Sequence, residues 1–257
     1  MKLDILSTSN PRVKSWSALS TRKGRDRTRL FLVEGFREIQ RMAATGVVLD
    51  TVILCPDITG NDTDPPAADR LNTVSKDVFA KLSHRQNPDG WLAVAVQPSL
   101  SLDRCTVSDQ PFVVVVEGLE KPGNLGAILR SADGAGVDLV ILADTVVDVF
   151  NPNVIRAAQG SLFVTQVAAT SAEHTLQWLT EHSIELLVAT PDAEHALWDA
   201  PIGDRIALLV GSEHWGVSPM FRAGARAVSI PMAGTADSLN AATAAALLMF
   251  EVVRRRR

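Results

Sequence analysis

PFVVVVEGLEKPGNLGAILRSADGAGVDLVILAD, residues 111–144, is the stretch whose reading decides the fold. It opens with an unbroken apolar run, Phe112–Val116, and closes with another, DLVILAD; a helical segment fills the space between. A strand with one wet face alternates polar and apolar residues. Uninterrupted Val, Ile and Leu mark a strand covered on both faces, as in a parallel sheet between helix layers. SLFVTQV, IELLVAT, RIALLVGSE and AVSIPMAG continue the pattern at intervals of about 20 to 30 residues, mostly with helical stretches between them. The expectation is an α/β domain built on a parallel sheet. Ligands of such sheets sit at the carboxyl ends of the strands, so the residues just after each run are the site candidates.

Upstream, as far as Gln97, helix and strand signals alternate in shorter pieces. Ser9-Asn10-Pro11 reads as a helix start, LFLVEG as a strand, FREIQRMAATG as a helix closed by Gly46, TVILC as a strand, KDVFAKLSH as a helix and GWLAVAV as a strand. This predicts a small α/β unit. PSLSLDRCTVSDQP, residues 98–111, has no periodicity and reads as a linker. Two domains are therefore expected, 1–105 and 106–257.

A chain of 257 residues, 46% hydrophobic and 21% charged, suits one large or two modest globular domains. MKLDILSTSNPR lacks the apolar stretch of a secretory signal, and no other run is long and clean enough to span a bilayer. Cys55 and Cys105 have neither metal-ligand spacing nor nearby histidines, and read as reduced thiols of a cytoplasmic protein with no membrane association. The net charge is −4, yet residues 1–41 hold ten Lys or Arg against four Asp or Glu, a local +6 that leaves −10 elsewhere. A basic end on an acidic body suits contact with a polyanion; a solvated arm fits equally. The absence of Tyr argues against an aromatic sheet that stacks single-stranded bases.

After PFVVVV, Gly123 and Gly126 frame a turn holding Asn124, and a helix starting near Leu125 carries Arg130. Singly, Asn124 reads as a cap and Arg130 as a surface charge. The G-x-x-G spacing is neither a dinucleotide fingerprint nor a Walker loop. After RIALLV comes GSEHWG: Gly211 lets backbone approach a ligand, while Ser212 and Glu213 offer a hydroxyl and a carboxylate, or simply begin a helix. After AVSI, Ser238 is the default N-cap of the long apolar last helix. Asn240, one step inside with no capping role, needs a polar partner on Asn124, Glu213 or a substrate.

In combination these fragments are specific. Asn124-x-Gly126-x-x-x-Arg130, then Gly211-Ser212-Glu213-x-x-Gly216, then Ile230-Pro231-Met232 with Ser238-Leu239-Asn240 resembles the SpoU (TrmH) family of RNA ribose 2′-O-methyltransferases in the SPOUT superfamily, over about residues 111–253. The amino-terminal part is similar to the small ribosomal-protein-like RNA-binding domain of many members, antibiotic-resistance rRNA methyltransferases among them. The resemblance implies a parallel-sheet SPOUT methyltransferase domain with a trefoil knot, preceded by a small α/β RNA-binding domain. It implies S-adenosyl-L-methionine gripped by Leu209, Val210, Gly211, Ile230, Met232, Ser238 and Leu239, and a catalytic set of Arg130, Asn124, Glu213, Ser238 and Asn240. Arg130 is expected to be essential. As arginine stays protonated, a fixed cation beside the phosphate stands next to the family's proposal of a base.

The resemblance further implies no metal, a homodimer through the methyltransferase domain, and an RNA substrate. Ribosomal RNA is favoured over transfer RNA, and a part in resistance to a ribosome-targeting antibiotic has no residue to support it. Arg12, Lys14, Arg22, Lys23, Arg25 and Arg156 are the expected RNA contacts. The His214-Trp215 pair, where small residues are common, points to the RNA entrance or the subunit contact. A Rossmann-like dehydrogenase is disfavoured by the missing glycine fingerprint, and a non-catalytic RNA-binding protein by the intact motifs.

Overall fold

The computed structural model describes residues 3–60, 64–212 and 215–256. The chain divides into two compact units, Met1–Pro98 with Asp148–Val164, and Ser99–Val147 with Thr165–Arg257.

The first unit carries α1 (Pro11–Ala18), α2 (Arg22–Thr28), β1 (Leu30–Glu34), α3 (Phe36–Ala44), β2 (Leu49–Leu54), α4 (Pro56–Thr59), β3 (Arg70–Thr73), α5 (Lys76–Leu82) and β4 (Trp91–Val96). Helix α1 starts where the sequence predicts: the Asn10 side chain accepts from the Arg12 N–H at 2.9 Å, and Pro11 presets the first helical φ. The strands form one sheet in the order β1-β4-β2-β3, antiparallel except for the β2–β3 pair. On one face, Val13 and Trp16 of α1 and Phe79 and Leu82 of α5 bury Leu32, Ile53, Leu92 and Val94.

Side chains alternate across a strand, so Phe31 points to the other face. There its ring lies 4.9 Å from that of Phe150 and 5.8 Å from that of Phe163, residues supplied by the segment Asp148–Val164. That segment holds α7 (Pro152–Ala158) and α8 (Ser161–Val164). The expected strand SLFVTQV is thus half helix. Gln159 and Gly160 adopt left-handed φ of 50° and 91°, end α7 and turn the chain straight into α8. A short apolar run does not by itself distinguish strand from buried helix.

The second unit holds β5 (Phe112–Glu117), α6 (Pro122–Ala135), β6 (Leu139–Ala143), β7 (Gln166–Thr170), α9 (Ala172–Glu181), β8 (Glu185–Ala189), β9 (Ile206–Val210), α10 (Pro219–Arg222), β10 (Arg226–Val228) and α11 (Ala241–Arg255). All six strands are parallel, in the order β10-β8-β9-β5-β6-β7. The strand interiors Val113, Ile141, Val188 and Leu209 are fully buried, as unbroken apolar runs require. Residues 98–111, expected as a linker, are mostly docked on this sheet. The Leu100 carbonyl accepts from the Ala169 N–H at 2.9 Å, Gln166 donates to the Thr106 carbonyl at 2.6 Å, and Leu102 is buried in the core. A segment that follows an edge strand without forming a regular ladder has no periodicity to announce it.

Two helix starts differ from expectation. Helix α6 begins at Pro122 with Lys121 as its N-cap, so Asn124 lies in its first turn and is not a cap. Helix α11 is capped by Asn240 itself, whose side chain accepts from the N–H groups of Ala242 and Thr243; Ser238 lies two residues before it. The far end of α11 is held by Glu251, which is buried between Arg254 (2.8 Å) and Arg255 (2.6 Å), while Arg255 also donates to the carbonyls of Leu197, Trp198 and Ala200. Among the described residues no helix is long and apolar enough to cross a membrane.

Candidate active site

The carboxyl ends of β8, β9 and β10 and the start of α11 enclose a cavity of about 410 Å³. Each wall has a local cause. Strand β9 ends at Val210, and the chain doubles back at once: Ser212 and Gly216 exchange backbone hydrogen bonds of 3.0 Å in both directions. Gly216 takes a φ of +66°, and a Cβ on Gly211 would lie 2.2 Å from the Gly216 carbonyl oxygen. Only glycine permits that approach at 211. The Glu117 carboxylate, buried at the end of β5, accepts from the Ser218 N–H at 2.9 Å and fixes the return of this turn.

A second wall follows β8. Thr190 donates its backbone N–H to the Val228 carbonyl at 2.9 Å, which ties the β8 exit to β10. Asp192 pairs with Arg222 at 3.0 Å, and this hydrogen bond, with one from Thr190, keeps its carboxyl below the usual carboxylate range. Ile230 and Met232 form a third wall, and Ser238, Leu239, Asn240 and Ala241 a fourth.

At the head of α11 the Asn240 amide has two functions. Its oxygen accepts from Ala242 N–H at 2.9 Å and Thr243 N–H at 3.4 Å, and its Nδ2 donates to Asn124 Oδ1 at 3.2 Å. The amide is exposed, so the expectation of a polar group entering a core is replaced by that of a cap. The bond to Asn124 joins the first turn of α6 to the first turn of α11 and so links the two motifs directly.

Of the expected cofactor contacts, Val210, Gly211, Ile230, Met232, Ser238 and Leu239 line the cavity together. Leu209 does not; its side chain is fully buried in the sheet core. Of the expected catalytic set, Ser238 and Asn240 line the cavity and Asn124 is held by Asn240. Arg130 lies farther along α6, by about 9 Å at ~1.5 Å per residue. It is exposed and outside the cavity lining, and among the described residues nothing is bonded to its guanidinium. Glu213 and His214 lie outside the described residues, and Trp215 beside them is 80% exposed. Lys121, Thr190, Pro191, Asp237 and Ala244 also line the cavity and were not anticipated. The residues following IELLVA offered the signal for Thr190 and Pro191, since they too sit at a strand's carboxyl end.

The expected RNA contacts lie in the first unit. Arg12, Lys14, Arg22 and Lys23 are exposed on α1 and α2, and Arg156 is exposed on α7. Arg25 departs from the set. It is 2% exposed, its Nε and Nη2 donate to Asp148 at 2.9 and 2.5 Å, and its Nη1 donates to the Leu19 carbonyl at 2.6 Å. With its donors committed internally, it is a structural ion pair.

A cavity of this size lies within the range of about 300–1,000 Å³ typical of small-molecule sites. Apolar walls interleaved with backbone and amide groups suit a nucleoside with a short polar chain. Fold and cavity together define an α/β protein with a site of that kind at the carboxyl edge of a parallel sheet. Comparison with known proteins makes this specific. The SpoU rRNA Methylase family model matches residues 111–250, and the MRM3-like substrate binding domain matches residues 10–93. The 23S rRNA (guanosine(2553)-2′-O)-methyltransferase RlmP of Bacillus subtilis is 30% identical across 96% of this chain and 98% of its own. A crystal structure of an RNA 2′-O ribose methyltransferase matches with a TM-score of 0.85 at 40% identity, covering 98% of each chain. The SpoU methyltransferase AviRb from Streptomyces viridochromogenes, solved in complex with the cofactor AdoMet, matches with a TM-score of 0.84 at 30% identity over 96% of this chain and 98% of its own. The chain belongs to the SpoU rRNA methylase family.

Proposed function

We propose that this protein transfers the methyl group of S-adenosylmethionine to a ribose 2′-hydroxyl of 23S ribosomal RNA. The observation that carries the reading is the convergence of the ends of β8, β9 and β10 with the Asn240 cap around one cavity of nucleoside size, beside a helix whose exposed Arg130 has no bonded partner among the described residues. Two relatives that span nearly the whole chain are 23S rRNA 2′-O-methyltransferases, which favours this substrate over transfer RNA.

Bound in the cavity, S-adenosylmethionine supplies an electrophilic methyl group, so no metal is required. Backbone groups at Val210–Gly211 and Ile230–Met232 would hold the adenine, with Leu239 and Ala244 as its apolar slot and the Gly211–Gly216 contact setting the depth of the cavity. Arg130, through its guanidinium charge, draws in the RNA phosphate, orients the ribose, and stabilises negative charge on the 2′-oxygen as the hydroxyl proton passes to solvent water. Asn124, positioned by Asn240, and Glu213 orient the substrate and Arg130. Met232 and Ser238 close the cofactor edge.

The amino-terminal part, about 1–105, holds the RNA through Arg12, Lys14, Arg22 and Lys23, with Arg156 contributed from α7, and the remainder carries out the transfer. The loops around β9, β10 and α11 form the trefoil knot of the family. Two copies pair through the face of α11 that exposes Thr243, Leu247 and Phe250 at helical spacing. The protein works in the cytoplasm; burial pushes up both thiols, Cys55 and Cys105, which suits reduced residues with no catalytic task. The test is transfer of labelled methyl from S-adenosylmethionine to unmodified 23S rRNA, followed by nucleoside analysis. Label in a 2′-O-methylnucleoside supports the reading. Label on a base, or none, refutes it.

A further inference from the structure

The first unit has a cavity of its own, of about 190 Å³, between α1 and the sheet. Its lining is out of character with the core around it. On that face Ile53, Leu92 and Val94 pack against α1 and α5. In their midst β3 places Asn72, 8% exposed, whose Oδ1 is buried with no hydrogen-bond partner among the described residues. Leaving a buried acceptor unpaired is costly, and a leucine would fill the same strand position at no such cost. Beside it lies the Thr51 hydroxyl, which donates to Asp50 at 2.7 Å. Asp50 also faces Arg70 at 4.0 Å, and Arg70 is 65% exposed at the cavity mouth, with exposed Arg12 of α1 also in the lining. The buried indole of Trp16 supplies an apolar wall.

The groups are ordered by depth: an unpaired acceptor and a flat apolar wall inside, a carboxylate farther out, and two guanidiniums at the opening. The volume is below the ~300 Å³ at which sites for whole small molecules begin, and fits a single heterocycle. Guanidiniums match phosphate oxygens in fork geometry. Proteins that read RNA by sequence do so on unpaired bases, stacked on aromatic side chains and hydrogen-bonded along their edges.

We propose that this cavity receives one unpaired base of the RNA substrate, an N–H donor of the base pairing with Asn72 Oδ1, its ring lying against Trp16 and its flanking phosphates held by Arg12 and Arg70. The proposal rests on the reading of the chain as an RNA methyltransferase. It assigns the first unit a base-reading site in addition to general phosphate attraction.

The experiment uses the full chain with Asn72→Leu. Removing an orphaned acceptor from an apolar face leaves the folded protein as stable as wild type or more so. Affinity for 23S rRNA, measured by filter binding, falls about tenfold, while S-adenosylhomocysteine binding is unchanged. A merely structural asparagine gives the opposite pair of results, lower stability with unchanged RNA affinity, and that outcome overturns the proposal. If Asn72→Leu does not fold, the exposed pair Arg12→Ala and Arg70→Ala decides: the proposal requires weaker RNA binding and a smaller salt dependence by about one phosphate contact each, and wild-type binding overturns it. Binding of mixed nucleoside monophosphates that depends on Asn72, with RNA binding that does not, identifies a free-nucleotide site and also overturns it. Wild-type methyl transfer to 23S rRNA is measured in parallel; it tests the enzymatic reading independently, so failure of the two ideas is distinguishable.

Discussion

Replacing Asn240 with Ser separates the two functions of its amide. The oxygen caps α11 through the Ala242 and Thr243 N–H groups, and the nitrogen reaches Asn124 at 3.2 Å. Serine is as good an N-cap as asparagine but too short to span to Asn124, so Asn240→Ser is expected to change stability by only a few tenths of a kcal/mol, whereas Asn240→Ala costs about 1 kcal/mol. The bridge to Asn124 is a single neutral hydrogen bond, of about 0.5–1.5 kcal/mol. At ~1.4 kcal/mol per factor of ten, its loss lowers the methyl-transfer rate up to about tenfold in both variants. Thermal unfolding and single-turnover transfer to 23S rRNA measure the two effects. Should Asn240→Ser transfer methyl at the wild-type rate, the bridge has no role in orienting Asn124. Should it be destabilised as much as Asn240→Ala, the capping assignment is wrong.

Arg130→Ala is expected to bind S-adenosylhomocysteine normally and to lose about 10²-fold or more in transfer, the scale seen when a charge-stabilising donor is removed; calorimetry with single-turnover assays checks it. Gly211→Ala forces a Cβ to within 2.2 Å of the Gly216 carbonyl oxygen, so the turn must shift, and cofactor affinity measured by calorimetry falls sharply. Asp148→Ala strands the buried Arg25 guanidinium and costs about 3–5 kcal/mol in denaturant unfolding, while the double change Arg25→Met with Asp148→Leu recovers most of that loss. Glu251 is lowered to about 2 from an ordinary 4.5, chiefly by its hydrogen bond from Arg254. A carboxylate stabilised in the folded state contributes above pH 4.5 and loses that contribution as pH falls towards 2. Glu251→Gln should therefore flatten the stability decline over that window.

The sheet was legible because a parallel strand buried on both faces has to be an unbroken apolar run, as Phe112–Val116 and Ile206–Val210 are. The cavity was legible because strand ends are where such folds bind ligands, and six of the seven expected cofactor contacts meet there. Other features were hidden for physical reasons. Arg25 reads as one more cation of a basic arm, since nothing local announces an ion pair with a residue 123 positions away. Asn240 was read as one step inside a helix because Ser238 is an equally good cap, and only the backbone path decides which of them turns the chain. Pro122 was the available signal for the early start of α6, and Gly123 and Gly126 around Asn124, which suggest a turn, concealed it. The SLFV segment is helical although a short apolar run fits strand and buried helix equally, and its Phe163–Phe31 ring contact at 5.8 Å is one that no local propensity announces.

The account depends most on where the methyl donor sits. A crystal structure of the full chain with S-adenosylhomocysteine is predicted to show the adenosine against Val210, Gly211, Ile230 and Leu239, with Asn240 still bonded to Asn124. Density for the ligand elsewhere on the molecule, or none at saturating concentration, would contradict it.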